Sequence, residues 1–306
     1  MTTNYKPEYA VAHTERMVHI IYIPFRGVGI MDDFRDDDWF TERVRLFVQY
    51  TLQSLKNQSS KNFVVWLSFR PQDSNNFLTH YLGAALKQAG IPYVQTFDGL
   101  MYWDDKFTLG AWPLLMNAAR VVRGCLRTGG WGKLIPMLRG LFHNKNTTLV
   151  SRLTKSLETV KKVGECDWVL LTRLDSDDML HRDAVKEIQQ REPKFGAAYC
   201  YRNGYALNTQ TGDLARYEPK TNPPFHTIAF PADVFFDAER HERYYGPFRS
   251  HEDIPKNFFA FYLPDGRYCV GVHSEGDHIS NTWKHPYRKE IIPVPEAAMI
   301  LREFGQ

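Results

Sequence analysis

The chain has 306 residues and a mass of 35.7 kDa, and 43% of its residues are hydrophobic. This apolar content is enough for a buried core and excludes a wholly disordered chain. No run of about 18 apolar residues predicts a membrane-spanning helix. The start of the sequence also lacks the basic and then apolar order of a secretory signal. We therefore expect a cytoplasmic protein.

A formal net charge of +3 conceals one strongly basic segment. Residues 106–155 contain nine Lys or Arg and no Asp or Glu, whereas the rest has 29 basic and 35 acidic residues, a charge of −6. The basic residues are interleaved with Leu, Ile, Met and Trp. This mixture predicts either a helical insertion with a solvated basic face or a peripheral contact with anionic lipid on the inner face of a membrane. Nucleic acid is not expected as a partner, because no recognition motif is present.

Strands and helices are predicted to alternate through the first half of the chain. Short apolar runs predict buried strands, and apolar residues at helical spacing predict helices, the first with Thr41 as its N-cap. The alternation is typical of βαβ crossovers and a parallel sheet. These elements are strands at 17–23, 63–69 and 91–97 and helices at 41–58 and 77–88.

The second half is predicted to be mixed, with antiparallel pairs. The four separated cysteines contain no CxxC pair, which favours reduced thiols over a disulfide framework. No repeat or linker divides the chain, so we expect one domain. The predicted elements are helices at 149–160 and 183–190, strands at 168–172, 196–201, 204–208 and 268–272, a turn at 211–213 and a short helix from about 250.

A cluster of carboxylates follows the strand at 168–172. Asp175 and Asp177 project to one side of an extended backbone, and Asp178 follows them. Ligands of open α/β sheets bind at the carboxyl ends of the strands. Clustered carboxylates repel one another unless a positive charge lies between them, and oxygen ligands suit Mg²⁺ or Mn²⁺. The alternative is a solvated turn that caps the next helix.

The sequence resembles a known family at four motifs. It is similar to the rhamnosyltransferase family within the GT-A glycosyltransferases, over about residues 17–285. The sequence departs from that pattern where Ser274 and Glu275 separate two motifs, and where His278 replaces an expected Asn. The matching motifs are Thr172–Asp178, His251–Asp253, Gly271–His273 and Gly276–Asp277.

The resemblance implies a GT-A, Rossmann-like fold with a mixed, mainly parallel α/β sheet flanked by helices, to which the charge pattern adds a basic helical insertion. It implies a single domain over 1–306 in two halves. The expected parts are a nucleotide-sugar-binding half at 17–180 with the insertion at 98–147, an acceptor-binding half at 181–285 and a C-terminal tail at 286–306.

The resemblance also implies a metal-binding DxD motif. Asp175 and Asp177 are then expected to hold the metal and the nucleotide ribose between them, with Asp178 as a further ligand or a neighbour that supports the site. A histidine is expected to approach the same ion, and both His273 and His278 are candidates. His273 is equally well interpreted as a structural residue, and His278 is the competing ligand.

Other residues are candidates for donor binding and for acid–base chemistry. Arg26 follows the first strand and could meet a diphosphate, and Asp73 follows the second and could bind the base or ribose. Arg173 and Asp175 complete the donor set. By resemblance to inverting GT-A enzymes, Asp253 is favoured as catalytic base and Glu252 is the alternative. Acidic residues are also favoured in a first helical turn by the helix dipole alone.

These observations predict a metal-dependent glycosyltransferase of the hexosyl-transferring type, inverting by resemblance. It would move a sugar, rhamnose by the family name alone, from a nucleotide diphosphate sugar to a carbohydrate or lipid-linked glycan acceptor. The alternatives are a metal-dependent phosphoryl or nucleotidyl transferase that uses the same carboxylates, and a non-catalytic carbohydrate-binding module.

Overall fold

The computed structural model describes residues 16–26, 36–100, 148–219, 225–245, 251–272 and 288–306, with short pieces between residues 115 and 139. Within these residues the strands form two sheets. The strands are β1 (Met17–Pro24), β2 (Val64–Ser68), β3 (Tyr93–Thr96), β4 (Trp168–Arg173), β5 (Met179–Leu180), β6 (Ala197–Tyr201), β7 (Gly204–Asn208), β8 (Leu214–Tyr217), β9 (His226–Pro231), β10 (Phe259–Leu263), β11 (Tyr268–Val272) and β12 (Arg288–Ile291).

The helices of the described residues include one that is interrupted by a π-helical segment, Phe47–Thr51, which joins α1 to α2. A short 3-10 turn, His251–Asp253, precedes α8. The α-helices are α1 (Asp37–Leu46), α2 (Leu52–Lys56), α3 (Phe77–Gln88), α4 (Leu149–Val160), α5 (Ala184–Gln189), α6 (Ala232–Phe235), α7 (Ala238–Tyr245), α8 (Ile254–Asn257) and α9 (Val294–Glu303).

The larger sheet has seven described strands in the order β10-β6-β9-β4-β1-β2-β3. Strand β1 pairs in parallel with β2 on one side and β4 on the other, and β2 pairs in parallel with β3. Strand β9 runs antiparallel to both β4 and β6. The predicted mixed, mainly parallel sheet is therefore confirmed. Its strand order reverses between β1 and β4, which is where open α/β sheets form a ligand-binding crevice.

Helices cover both faces of this sheet. Strand β1 alternates, so that Ile21 and Ile23 pack in one buried layer with side chains of α1, α2, α3 and α5. Val18 and Ile20 pack in the opposite layer, which contains side chains of α4, α6 and α7. Burial on both faces explains why β1 reads as a continuous apolar run in the sequence.

The smaller sheet has five described strands in the order β12-β8-β7-β11-β5. Its buried layer contains Leu46 and Tyr50, whereas Phe40, Val44 and Phe47 of the same interrupted helix pack in the core of the larger sheet. The helix from α1 to α2 therefore lies between two cores. The chain itself passes from one sheet to the other between β4 and β5, through the carboxylate cluster.

The predicted helices and strands are confirmed with shifts of a few residues at their ends, but the first N-cap is wrong. Helix α1 begins at Asp37, and Asp36 caps it by accepting a hydrogen bond from the Trp39 backbone N–H (2.8 Å). Thr41 instead donates its hydroxyl to the Asp37 carbonyl within the helix (2.8 Å). Asp at the N-cap and in the first turn satisfies free N–H groups and the helix dipole, which accounts for the earlier start.

The segment predicted as a tail contains β12 and α9. Strand β12 pairs antiparallel with β8, and α9 follows it. Ile292, Ala297 and Phe304 are buried in the core of the smaller sheet. These apolar side chains therefore give residues 288–306 a packed place in the fold.

The predicted basic insertion lies largely outside the described residues. Its described pieces expose Leu126, Trp131 and Ile135, each with more than half of its surface accessible. The lipid contact stays a prediction. In the part of the chain that the structure describes, no helix combines the length and apolar character needed to cross a membrane.

A buried polar chain crosses the larger sheet beneath the carboxylates. His19 Nε2 lies 2.6 Å from Thr172 Oγ1, which lies 2.5 Å from Thr227 Oγ1. Gln189 contacts the other ring nitrogen, His19 Nδ1, at 3.3 Å. Burial lowers the pKa of His19 to about 3, because a charged imidazolium would lose its hydration there. His19 is therefore neutral in the folded protein at ordinary pH.

Acid should destabilise the fold through His19. The unfolded chain takes up a proton near pH 6.5, whereas the folded chain does so near pH 3. The stability is present above pH 6.5, and each pH unit below it should cost up to about 1.4 kcal/mol of unfolding free energy at this residue. Urea unfolding at pH 7, 6 and 5 measures this, and His19→Gln should flatten the dependence. Parallel curves for the wild type and the variant would contradict it.

Candidate functional site

The carboxylates lie at the end of β4, where the chain leaves the larger sheet. Pairing with β1 continues past the strand, since the Leu174 backbone N–H donates to the Tyr22 carbonyl (3.0 Å). The chain then turns, and the Asp178 N–H donates to the Asp175 carbonyl (3.1 Å). The turn places the side chains of residues 175–178 at the carboxyl end of the parallel strands, beside the reversal of strand order.

Asp177 is buried and forms an ion pair with Arg43 of α1. The Arg43 Nη1 group pairs with Asp177 Oδ2, and the two side chains are 8% and 1% exposed. The Arg43 guanidinium also lies over the Trp39 ring, with its central carbon 4.8 Å from the ring centroid. A guanidinium therefore neutralises the carboxylate that the sequence assigned to a metal.

Asp178 is buried beside Asp177 and faces β11. Its Oδ1 accepts a hydrogen bond from the Gly271 backbone N–H (3.0 Å). Burial raises the pKa of Asp178 well above its usual value, and the negative charges of Asp177 and Asp175 raise it further. The hydrogen bond from Gly271 and the charge of Arg43 oppose that rise. The three aspartates thus form one electrostatic cluster with an excess of negative charge.

Asp175 is the most accessible of the three, with 30% of its side chain exposed. Arg173 contacts it with Nε (3.2 Å) and Nη2 (3.1 Å). Arg173 also acts electrostatically on Tyr245 at the end of α7: burial raises the pKa of Tyr245, and the charge of Arg173 opposes that rise. Arg173 and Asp175 therefore present a polar, partly exposed pair at the edge of the cluster.

Arg26 and Asp73, predicted separately as donor-binding residues, contact each other. Arg26 is fully buried, its Nε donates to Asp73 Oδ2 (3.0 Å), and its Nη2 pairs with Asp73 Oδ1. Its Nη1 donates to Asp37 Oδ1 (2.8 Å), and the guanidinium lies over the Phe40 ring at 4.1 Å. This geometry joins the ends of β1 and β2 to the start of α1. Donor binding by either residue stays a prediction.

The predicted catalytic carboxylates lie on the turn before α8. Asp253 is 17% exposed and its Oδ1 accepts a hydrogen bond from Lys256 Nζ (2.7 Å), whereas Glu252 is exposed. The neighbouring Ile254 is buried in the same core layer as Leu171 of β4. The turn is therefore anchored to the layer beside the strand that carries the cluster, and the role of either carboxylate stays a prediction.

The predicted metal ligands are partly brought together. Asp175, Asp177 and Asp178 cluster, whereas His273 and His278 lie outside the described residues. Within those residues, no group of three or more His, Cys, Asp or Glu side chains is arranged to hold a metal. The three aspartates nevertheless suit Mg²⁺ or Mn²⁺, because carboxylate oxygens are ligands that these ions bind. In this structure the buried Arg43 guanidinium supplies the counter-charge of Asp177.

Arg43 was missed by the sequence interpretation of the cluster. Arg43 lies at helical spacing with Phe40, Val44 and Phe47, so a cation stands on the buried face of α1. That position is a usable signal, since a charge there requires a buried partner.

Comparisons with known proteins add a likeness to solved structures. The sequence matches no described protein family and no curated protein. Among solved structures, it is similar to the crystal structure of S. aureus TarS 1–349, with 13% sequence identity and a TM-score of 0.39. The likeness covers 83% of this chain and 60% of that chain, so the chain spans less than two thirds of the TarS structure.

Gly271 should be sensitive to substitution because it packs against the carboxylate turn. A Cβ at this position would clash with the Asp177 carbonyl oxygen. We expect Gly271→Ala to lower the free energy of unfolding by about 1–3 kcal/mol, the usual cost of an overpacked core. Urea denaturation measures the loss. Gly132→Ala is the control, since a Cβ there meets no atom within 4 Å. Equal stability of the two variants would contradict the described packing.

Proposed function

We propose that this chain is a glycosyltransferase that uses a nucleotide diphosphate sugar as donor. The observation that carries the proposal is the aspartate cluster with its two arginines at the reversal of strand order between β1 and β4. This is the crevice where open α/β sheets bind nucleotides. The GT-A assignment is supported by the same strand order and by the motifs at 172–178 and 271–273.

The charges of the cluster suit the chemistry of the donor. Breaking the bond between a sugar and a diphosphate places negative charge on the leaving group, and preorganised positive groups lower the barrier by stabilising that charge. Arg173 is the partly exposed cation at the site, and its fork of N–H donors matches phosphate oxygens. Asp175 beside it is suited to accept hydrogen bonds from the ribose hydroxyls.

We also propose that the site takes Mg²⁺ or Mn²⁺. Asp177 and Asp178 would hold the ion, together with Asp175 and either His273 or His278. When bound, the cation would supply electrostatic stabilisation of the leaving diphosphate. The chain's own contribution is to hold the carboxylates fixed: Gly271 fixes Asp178 and the turn fixes Asp175.

Acceptor activation is assigned to the turn before α8. An inverting transfer needs a base that removes the proton of the acceptor hydroxyl opposite the leaving group. Asp253 is the favoured base, since its carboxylate is partly buried and fixed by Lys256, and Glu252 is the alternative. The sugar is proposed to be a hexose, rhamnose on the resemblance alone, and the acceptor a carbohydrate or lipid-linked glycan.

Donor turnover tests the proposed reaction. The purified chain, supplied with Mn²⁺ and a panel of UDP, dTDP and GDP sugars, should release the nucleoside diphosphate from at least one donor, with water as the acceptor of the sugar. Asp175→Asn should reduce that release at least about 10-fold, the effect of losing about 1.4 kcal/mol of transition-state stabilisation. Asp213→Asn is the control, because Asp213 lies in the exposed turn after β7.

The products and the binding data separate the alternatives. Release of pyrophosphate in place of nucleoside diphosphate would indicate a nucleotidyl transferase. Glycan binding without release of either product would indicate a carbohydrate-binding module. Stabilisation by a bound donor would appear as a higher melting temperature, since a ligand that binds the folded state raises its stability. No binding and no turnover with any donor would contradict the proposed function.

Removal of the proposed base should separate catalysis from donor binding. We expect Asp253→Asn to lower turnover about 100-fold or more, the typical contribution of general base catalysis, while the donor-induced shift in melting temperature is retained. Glu252→Gln is the matched control on the same turn and should change turnover much less. A larger loss in Glu252→Gln than in Asp253→Asn would reverse the two assignments.

A further inference from the structure

We infer that Arg43 and a divalent cation are alternative counter-ions of Asp177, so that the guanidinium must leave this carboxylate before a cation binds it. The inference rests on the proposed function and assigns a regulatory role to a residue outside the predicted ligand set. It concerns the order in which positive charges occupy the aspartate cluster.

The ion pair between Arg43 and Asp177 is buried. Asp177 is 1% exposed and Arg43 is 8% exposed at the side chain. A carboxylate at that depth is costly to keep ionised without a counter-charge, because water no longer solvates it. Arg43 supplies that charge, and the same requirement makes the position attractive to any other cation.

The Arg43 guanidinium and a divalent cation need the same oxygen of Asp177 and the same space. Mg²⁺ and Mn²⁺ bind carboxylate oxygens directly. A guanidinium that stays hydrogen-bonded to the same oxygen would occupy space in the coordination shell of the cation. Arg43 Nη1 pairs with Asp177 Oδ2, and Arg43 also acts electrostatically on Asp178. Two positive groups at one carboxylate repel each other, so the occupancy of one lowers the affinity for the other.

Arg43 also contacts a second group that attracts a cation, the ring of Trp39. Its guanidinium already lies 4.8 Å from the centroid of the Trp39 ring, one turn earlier on α1. An aromatic face attracts a guanidinium, which allows Arg43 to keep a favourable contact after it releases Asp177.

The test is a direct measurement of Mn²⁺ affinity without any donor. The electron paramagnetic resonance signal of free Mn²⁺ is titrated with the full-length wild type, Arg43→Met and Arg45→Met. Arg45 is the matched control, because it lies on the same helix and pairs with Glu42 on the exposed side. We expect Arg43→Met to bind Mn²⁺ at least 10-fold more tightly than the wild type, and Arg45→Met to match the wild type.

Melting temperature gives a second readout. Arg43→Met should melt lower than the wild type without metal, because Asp177 loses its counter-charge, and Mn²⁺ should raise its melting temperature by more than it raises that of the wild type. Adding Asp177→Asn to Arg43→Met should remove both effects. Should Arg43→Met fail to fold, Arg43→Gln gives the same comparison, since its amide can donate to Asp177 without carrying charge.

The outcomes separate this inference from the proposed function. Equal or weaker Mn²⁺ affinity in the Arg43 variant would overturn the inference, as would a lack of Mn²⁺ binding in every variant. Neither result depends on donor turnover, which is measured independently. Failure of the proposed function would appear as the absence of nucleotide sugar binding and of nucleoside diphosphate release in the wild type.

Discussion

The need for positive charge beside three clustered aspartates is the constraint on which the rest of the site depends. Asp177 and Asp178 are buried, and each raises the electrostatic cost of ionising its neighbour. The fold meets that cost with Arg43 from α1 and a backbone N–H from β11. Elements from distant parts of the sequence therefore converge on one turn, and their packing and the chemistry of the site are inseparable.

The position of that turn follows from the topology. The chain crosses from the larger sheet to the smaller one directly after β4, so the carboxylates lie where two cores meet. Strand order in the larger sheet reverses at the same place, between β1 and β4, which is where open α/β sheets bind their ligands. A turn that joins two cores is held from both sides. Its charged groups are therefore already fixed before a ligand binds, so that binding does not have to order them.

Much of this could be predicted from the sequence, because the signals were local. Apolar runs located the strands, and the carboxylates stood directly after one of them. Contacts across the chain could not be predicted in this way. Arg26 and Asp73 were each assigned to a donor, yet they pair with each other, and Arg43 was overlooked because its partner lies on another element. The tail prediction did not use the apolar residues Ile292, Ala297 and Phe304, which are buried in the core of the smaller sheet.

The π-helical segment at Phe47–Thr51 has a consequence for the mutability of the first helix. An α-helix advances about 100° per residue. Deleting or inserting one residue there would turn Arg43 away from the cluster, or rotate Leu52 and Leu55 out of their core. Side chains before and after the segment pack against different neighbours. The number of residues between them is therefore as strictly constrained as the identity of any single side chain. Length polymorphism should consequently be excluded from this stretch, even where the identity of its residues is free to drift.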